Sequence, residues 1–380
     1  MQYVRYVASS TINNKVKIVL ATLPESLDNP AYKEMQEASD NRIEVLVIDG
    51  SISKIWRPGP LGTLIRHFAY YKLFKDFWNN SIEARKSSVI FIPYLDYCDK
   101  VFSIFGSPFG STPWSGLLMR PSFHYSAMGV IAPASPLDAP ERILFHMLLR
   151  KKYLLTLFTA DQPLYLYIQS KWKKHANKIK YVVEPADMDK PLSQIAARQS
   201  LGLPANKKIL LVYGSLTMRK GIDTLIKAFA SPSFPEDWAC FLAGMQDDEI
   251  RCITSSESCR RLKSKGILFE MDRYLNRQEQ TSAFCASDAV WLGYRDHYST
   301  SGVLSQAMAM DLPIIGCKEG VIGWTLSRYE HGCLLDDHTV ISALKPLFQL
   351  DIPSSVLHKG KYDARFSVTR FGSDILSGLF

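Results

Sequence analysis

The chain has 380 residues, 47% hydrophobic and 22% charged, a balance that excludes a disordered polar chain and predicts two domains of about 150 to 200 residues each. Its net charge of +8 asks for an anionic partner; the basic residues are dispersed and carry no RNA-reading or zinc-finger signature, so nucleic acid is set aside, leaving a phosphorylated substrate or an anionic membrane face. Seven cysteines without a Cys-x-x-Cys pair argue against a zinc ribbon or a disulfide framework, and with no signal-peptide layout and no run of about 18 apolar residues a cytoplasmic, soluble or peripheral protein is expected.

In chain order, short β-branched and aliphatic runs predict strands over 15–21, 43–48 and 88–93, the first followed by a turn at Asn29-Pro30. Between the last two, aromatics and cations at helical spacing predict a helix over 64–78. A polar, turn-rich break at 203–208 has the composition of a domain separator and opens a second series. Strands are predicted there over 209–213, 239–243, 289–292 and 313–316, with helices over 223–230 and 305–310 between them. Strands alternating with helices imply doubly wound parallel sheets, here two α/β domains facing each other across a cleft. We place the domains at 1–185, 186–360 and a closing helix over 361–380 that packs back on the first domain.

Two segments carry candidate chemistry. In ILLVYGSLTMRKGIDTLIKAFA a strand ends at Gly214, a loop with Ser215 brings in Arg219 and Lys220, and Gly221 opens a helix. Two cations at the carboxyl end of a strand suit a diphosphate, although spacing alone is equally compatible with solvated loop charges. In GYRDHYSTSGVLSQAMAMDLPIIGC a strand leads through Tyr298, Ser299, Thr300, Ser301 and Gly302 into a helix bearing Val303 and Gln306. Amides at that helix start form a natural phosphate cradle; a plain Ser/Thr cap is the simpler alternative. No acidic cluster is read as a divalent-metal site, and Asp247-Asp248-Glu249 reads as a solvated loop.

Together these segments resemble the donor domain of glycosyltransferase family 4. The likeness extends through Phe284-Cys285-Ala286-Ser287-Asp288, Gln306-Ala307-Met308-Ala309, Gly320-Val321-Ile322-Gly323 and His331-Gly332-Cys333-Leu334-Leu335. Lys220 stands where that family has its phosphate-binding Lys. The family's Arg after the strand-ending Gly is Ser215 here, with Arg219 as the substitute cation, and its two Glu positions are Tyr298 and Gln306.

The resemblance implies a GT-B fold and a retaining, metal-independent glycosyltransferase. Its co-substrate would be a nucleoside diphosphate sugar, with no further cofactor, and its acceptor a carbohydrate, lipid-linked or small-molecule hydroxyl. Arg219, Lys220 and His124 are the catalytic candidates, His124 because family members carry a cleft-facing His near Arg120-Pro121-Ser122-Phe123-His124. Gly214, Ser215, Tyr298, Ser299, Thr300, Ser301, Gly302, Val303 and Gln306 are the donor-binding candidates. The basic-aromatic segments 64–78 and 165–180 add an expected peripheral contact at the inner face of a membrane, against the ordinary reading of one packed face and solvated cations. The losses at Ser215, Tyr298 and Gln306 keep open a noncatalytic scaffold that binds a nucleotide sugar without turnover. An epimerase or phosphorylase would need a carboxylate or cofactor lysine that these segments do not offer.

Overall fold

The computed structural model describes residues 2–10, 16–28, 32–33, 35–36, 43–50, 59–350 and 362–380; the Asn29-Pro30 turn lies outside them. The chain divides into two compact units: Met1–Met128, Pro133–Val183 and Val368–Phe380 form the first, Gly129–Ala132 and Glu184–Ser367 the second. The 203–208 break therefore falls inside the second unit, because the helix Gln194–Leu201 before it already packs there.

The first unit holds a parallel pair, β1 (Ile18–Thr22) and β2 (Ile43–Val47). It also holds a four-stranded parallel sheet in the order β3 (Ile90–Ile92), β4 (Trp114–Leu118), β5 (Leu154–Thr159), β6 (Ile179–Tyr181). No strand is predicted over 114–118, whereas all five residues of β4 are buried. Ser115 and Gly116 interrupt the β-branched pattern that marks a strand, and only burial on both sides overrides that local signal. On one face Trp114, Leu118, Leu154 and Leu157 join Phe102, Phe145 and Leu164. On the other, Leu117 and Phe158 meet Tyr3, Tyr6, Phe371 and Ile375, so the helix Val368–Leu379 closes over the first unit beside the helix Gln2–Ser10.

The second unit is a six-stranded parallel sheet in the order β12 (Gly332–Leu335), β11 (Ile314–Cys317), β10 (Ala289–Leu292), β7 (Lys208–Tyr213), β8 (Trp238–Ala243), β9 (Leu268–Met271). Alternate residues of β7 serve separate cores: Ile209 and Leu211 pack with Phe241, Val290 and Phe284, while Leu210 and Val212 pack with Trp238, Leu242 and Trp291. Both faces are covered, which is why these strands read as unbroken apolar runs. The chain enters at β7, builds outward through β8 and β9, then returns to the other side of β7 with β10. This is the Rossmann strand order, and the reversal between β7 and β10 opens a crevice at the carboxyl ends of those strands, where such sheets hold ligands.

A buried ion pair anchors that sheet. Asp288, the residue before β10, accepts hydrogen bonds from Arg198 Nη2 (2.5 Å), Gln194 Nε2 (3.0 Å) and the Ile209 amide (2.6 Å). Arg198 and Asp288 are 6% and 7% exposed, so either one left alone would be an uncompensated buried charge. Arg198→Ala is expected to cost about 3 kcal/mol, read as a lower urea midpoint at unchanged slope.

Candidate functional site

The loops after β7 and β10 meet at the crevice and hold each other. After β7, Gly214 (φ 95°) turns the chain, and Met218–Lys220 form a single 3₁₀ turn ending at Gly221 (φ 68°). A Cβ on Gly221 would lie 2.5 Å from the Gly293 carbonyl oxygen after β10, so only glycine permits both the left-handed turn and the approach. Trp291 Nε1 donates to the Lys220 carbonyl (2.8 Å) and the Arg295 amide to the Arg219 carbonyl (2.7 Å). The Arg295 side chain is itself taken up by Asp223, at 2.9 Å.

This clamp fixes the two cations differently. Lys220 is buried, and its ammonium donates to the Tyr213 carbonyl and to the Tyr294 hydroxyl, the latter at 3.1 Å. Gly214 makes room for it, since a Cβ there would lie 3.3 Å from Lys220 Nζ. Arg219 is exposed. Both charges lie over the Tyr294 ring, Arg219 Cζ and Lys220 Nζ each 5.1 Å from its centroid. Burial, and then the neighbouring Arg219 charge, bring the Lys220 ammonium down to about 7. Burial pushes the Tyr294 hydroxyl up to about 12, so it stays protonated.

On the β10 side, Ser301 is a buried partner of the Tyr294 hydroxyl. It stands at the N-cap of the helix Gly302–Ala309 without making a side-chain cap bond, so the simple Ser/Thr cap does not occur. The first amides of this helix have no intrahelical acceptor and point out of its N-terminus. Ser299 and Thr300 are half-buried, and the Thr300 carbonyl lies 3.1 Å from His297 Nε2. Tyr298 donates to Asp296 Oδ1 (3.3 Å). Val303 packs against the sheet core. Ser215 is exposed at the start of the β7 loop.

Gln306, one turn after Gly302 on the same helix face, has a buried Oε1 without a hydrogen-bond partner. Glu184 approaches the same face. A Cβ on Gly302 would lie 3.4 Å from Glu184 Oε1, while Glu184 Oε2 is buried and unpartnered and burial raises the carboxyl to about 7. Sequence reading missed Glu184, which lies far upstream with no motif around it. It also passed over Tyr294, although that residue sits inside the quoted segment. Asp247, read as part of a solvated loop, instead caps the helix Asp248–Thr254 by accepting from the Ile250 amide (2.9 Å).

His124 belongs to the first unit and is wholly buried. Its Nε2 lies 3.3 Å from Asp161 Oδ1, its Nδ1 is unpartnered, and the rings of Phe123, Tyr125 and Tyr167 surround it. Asp161 in turn caps the helix Gln162–Lys171 through the Leu164 amide (2.9 Å).

Residues 193–347, all within the second unit, match the family model described as "Glycosyl transferases group 1". No curated protein matches the chain. Among solved structures, Alr3699/HepE from Anabaena, determined in complex with UDP, shares 14% identity at a TM-score of 0.62, covering 100% of this chain and 95% of its own. Sucrose-phosphate synthase from Thermosynechococcus elongatus shares 16% at 0.59, covering 100% and 88%. The trehalose-6-phosphate phosphatase N-terminal domain from Candida albicans shares 13% at 0.63, covering 100% and 94%. At these identities the likeness is one of fold: two Rossmann-like parallel-sheet domains, as in GT-B glycosyltransferases.

Two outcomes follow from burial. The folded state binds a proton at Lys220 less readily than the unfolded chain, whose ordinary value is 10.5. The resulting penalty on stability is complete below about pH 7, shrinks as pH rises and is gone near 10.5. Lys220→Met should therefore be more stable than the parent by a margin largest at neutral and acid pH and vanishing toward pH 10.5, measured by urea unfolding across that range. His124→Ala should lower the unfolding free energy by about 1 to 3 kcal/mol, because it strips Asp161 of a buried partner.

Proposed function

We propose that the chain is a retaining, metal-independent glycosyltransferase resembling family 4, transferring a sugar from a nucleoside diphosphate sugar to a hydroxyl of a carbohydrate, lipid-linked or small-molecule acceptor. The observation that carries this reading is the buried Lys220 ammonium beside exposed Arg219 at the β7–β10 crevice, next to a helix N-terminus whose amides Ser301 leaves uncapped. As the bond between the sugar's anomeric carbon and the diphosphate lengthens, negative charge grows on the departing oxygen. Preorganised cations and amides stabilise that charge more than they stabilise the ground state. A bound diphosphate also reverses the electrostatics at Lys220: an adjacent anion favours the protonated ammonium that burial alone disfavours.

The unpartnered oxygens of Glu184 and Gln306 are acceptors in want of donors, and the hydroxyls of a ribose or sugar supply them. Glu184 thus offers, from another part of the chain, a carboxylate that Tyr298 and Gln306 do not. Tyr298, Ser299, Thr300 and Val303 would shape the donor pocket. His124, enclosed with Asp161 behind aromatic rings, would hold the first unit's fold rather than touch the sugar. The reading needs no further cofactor, and it places the reaction in the cytoplasm.

The test is a donor-hydrolysis screen over UDP-, GDP-, ADP- and TDP-sugars, UDP-glucose first because Alr3699/HepE was solved with it. At least one donor should be bound and slowly cleaved. Lys220→Ala should lose at least about a hundredfold in turnover with its fold intact, and Arg219→Ala about tenfold in donor affinity. A folded protein that binds none of these donors overturns the reading. Binding without cleavage of any donor, with or without candidate acceptors, selects the noncatalytic scaffold instead.

A further inference from the structure

We infer that the first unit carries a docking surface for an anionic bilayer, centred on Phe68 and Phe105. The helix Gly59–Asn80 exposes Leu64, Ile65 and Phe68, and the helix Asp99–Phe105 ends on exposed Ile104 and Phe105, the last 61% open to solvent. Single exposed apolar residues are ordinary on a soluble protein. Here the Phe68 and Phe105 rings meet edge-on with centroids 6.0 Å apart and Tyr71 packs behind Phe105 at 6.2 Å, while Leu64 lies one turn before Phe68 on the same helix face and Ile104 adjoins Phe105 in the chain. A contiguous patch of this kind marks an interaction site.

The charge beside it says what covers it. Lys151 Nζ donates to the Ile104 carbonyl at 2.9 Å, which fastens the run Arg150-Lys151-Lys152 to the edge of the patch. Lys72 lies one turn beyond Phe68 on the same helix face. Arg150, Lys152 and Lys72 are exposed, and among the described residues none of them pairs with a carboxylate. A second copy of this chain meeting the patch about a two-fold axis would bring the same uncompensated cations together. An anionic lipid surface would neutralise them, with the aromatic and aliphatic side chains entering the boundary between headgroups and acyl chains.

Of the two basic-aromatic segments the sequence offers, only 64–78 contributes. In the other, Trp172 is spent on Phe123, Phe145 and Tyr167 inside the first unit's core. The inference does not depend on the transfer reaction, since vesicle binding and donor hydrolysis are measured separately.

The full chain is sedimented with phosphatidylcholine vesicles, with and without phosphatidylglycerol. It should pellet only with the anionic lipid, and less as salt rises from about 0.1 M toward 0.5 M. The double variant Phe68→Ser/Phe105→Ser should lose about tenfold or more in partitioning while keeping its far-UV circular dichroism and its hydrolysis of a soluble donor. Lys72→Gln/Lys152→Gln should weaken binding and flatten its salt dependence. Failure to pellet with phosphatidylglycerol vesicles overturns the inference, as does equal partitioning of the parent and the Phe variants. Light scattering that shows the parent dimeric and the Phe variants monomeric assigns the patch to a second copy and likewise overturns it.

Discussion

The site is organised around one buried positive charge. The Lys220 ammonium is held by the Tyr213 carbonyl and the Tyr294 hydroxyl, with little water to solvate it. A lysine so placed is costly to keep charged, which is why its proton is loosely held in the free protein. Under the proposed function the same desolvation would strengthen its pull on a diphosphate, because attraction between charges grows as the surrounding dielectric falls. Arg219, on the same ring but exposed, serves as an outer charge at little cost to stability.

Holding that ammonium in place falls to the backbone. The β7 loop accepts hydrogen bonds from Trp291 and from the Arg295 amide, and the glycine at 221 lets it close onto the Gly293 carbonyl. Each contact joins the segment after β7 to the segment after β10, strands far apart in sequence that the Rossmann order makes neighbours. The buried Arg198–Asp288 pair fastens the base of the same two strands, since Asp288 also accepts from the Ile209 amide near the start of β7. A loop pinned this way holds its cations in one arrangement, the preorganisation that the proposed function calls for.

The protein's apolar and basic surpluses are divided in a similar way. In the second unit the central strands β7, β8, β10 and β11 are almost wholly taken up by the two cores of the sheet. The first unit leaves a ring pair and its aliphatic neighbours open beside exposed cations, so part of the net charge of +8 gathers at one surface although the sequence shows it dispersed.

The sequence by itself determined the α/β alternation, most strands of the second unit to within a residue or two, and the two segments that converge at the crevice, because apolar runs flanked by glycine and small polar residues are local signals. It did not show β4, whose Ser115 and Gly116 break the strand pattern and which is a strand because both its faces are buried. Nor did it show Glu184 beside Gly302, Tyr294 beneath both cations, or Asp161 behind His124. Those pairings join residues by distance in space rather than along the chain. Whether a lysine is a solvated loop charge or a buried one with a weakened hold on its proton depends on what packs around it, and that is decided only when β10 comes to lie beside β7.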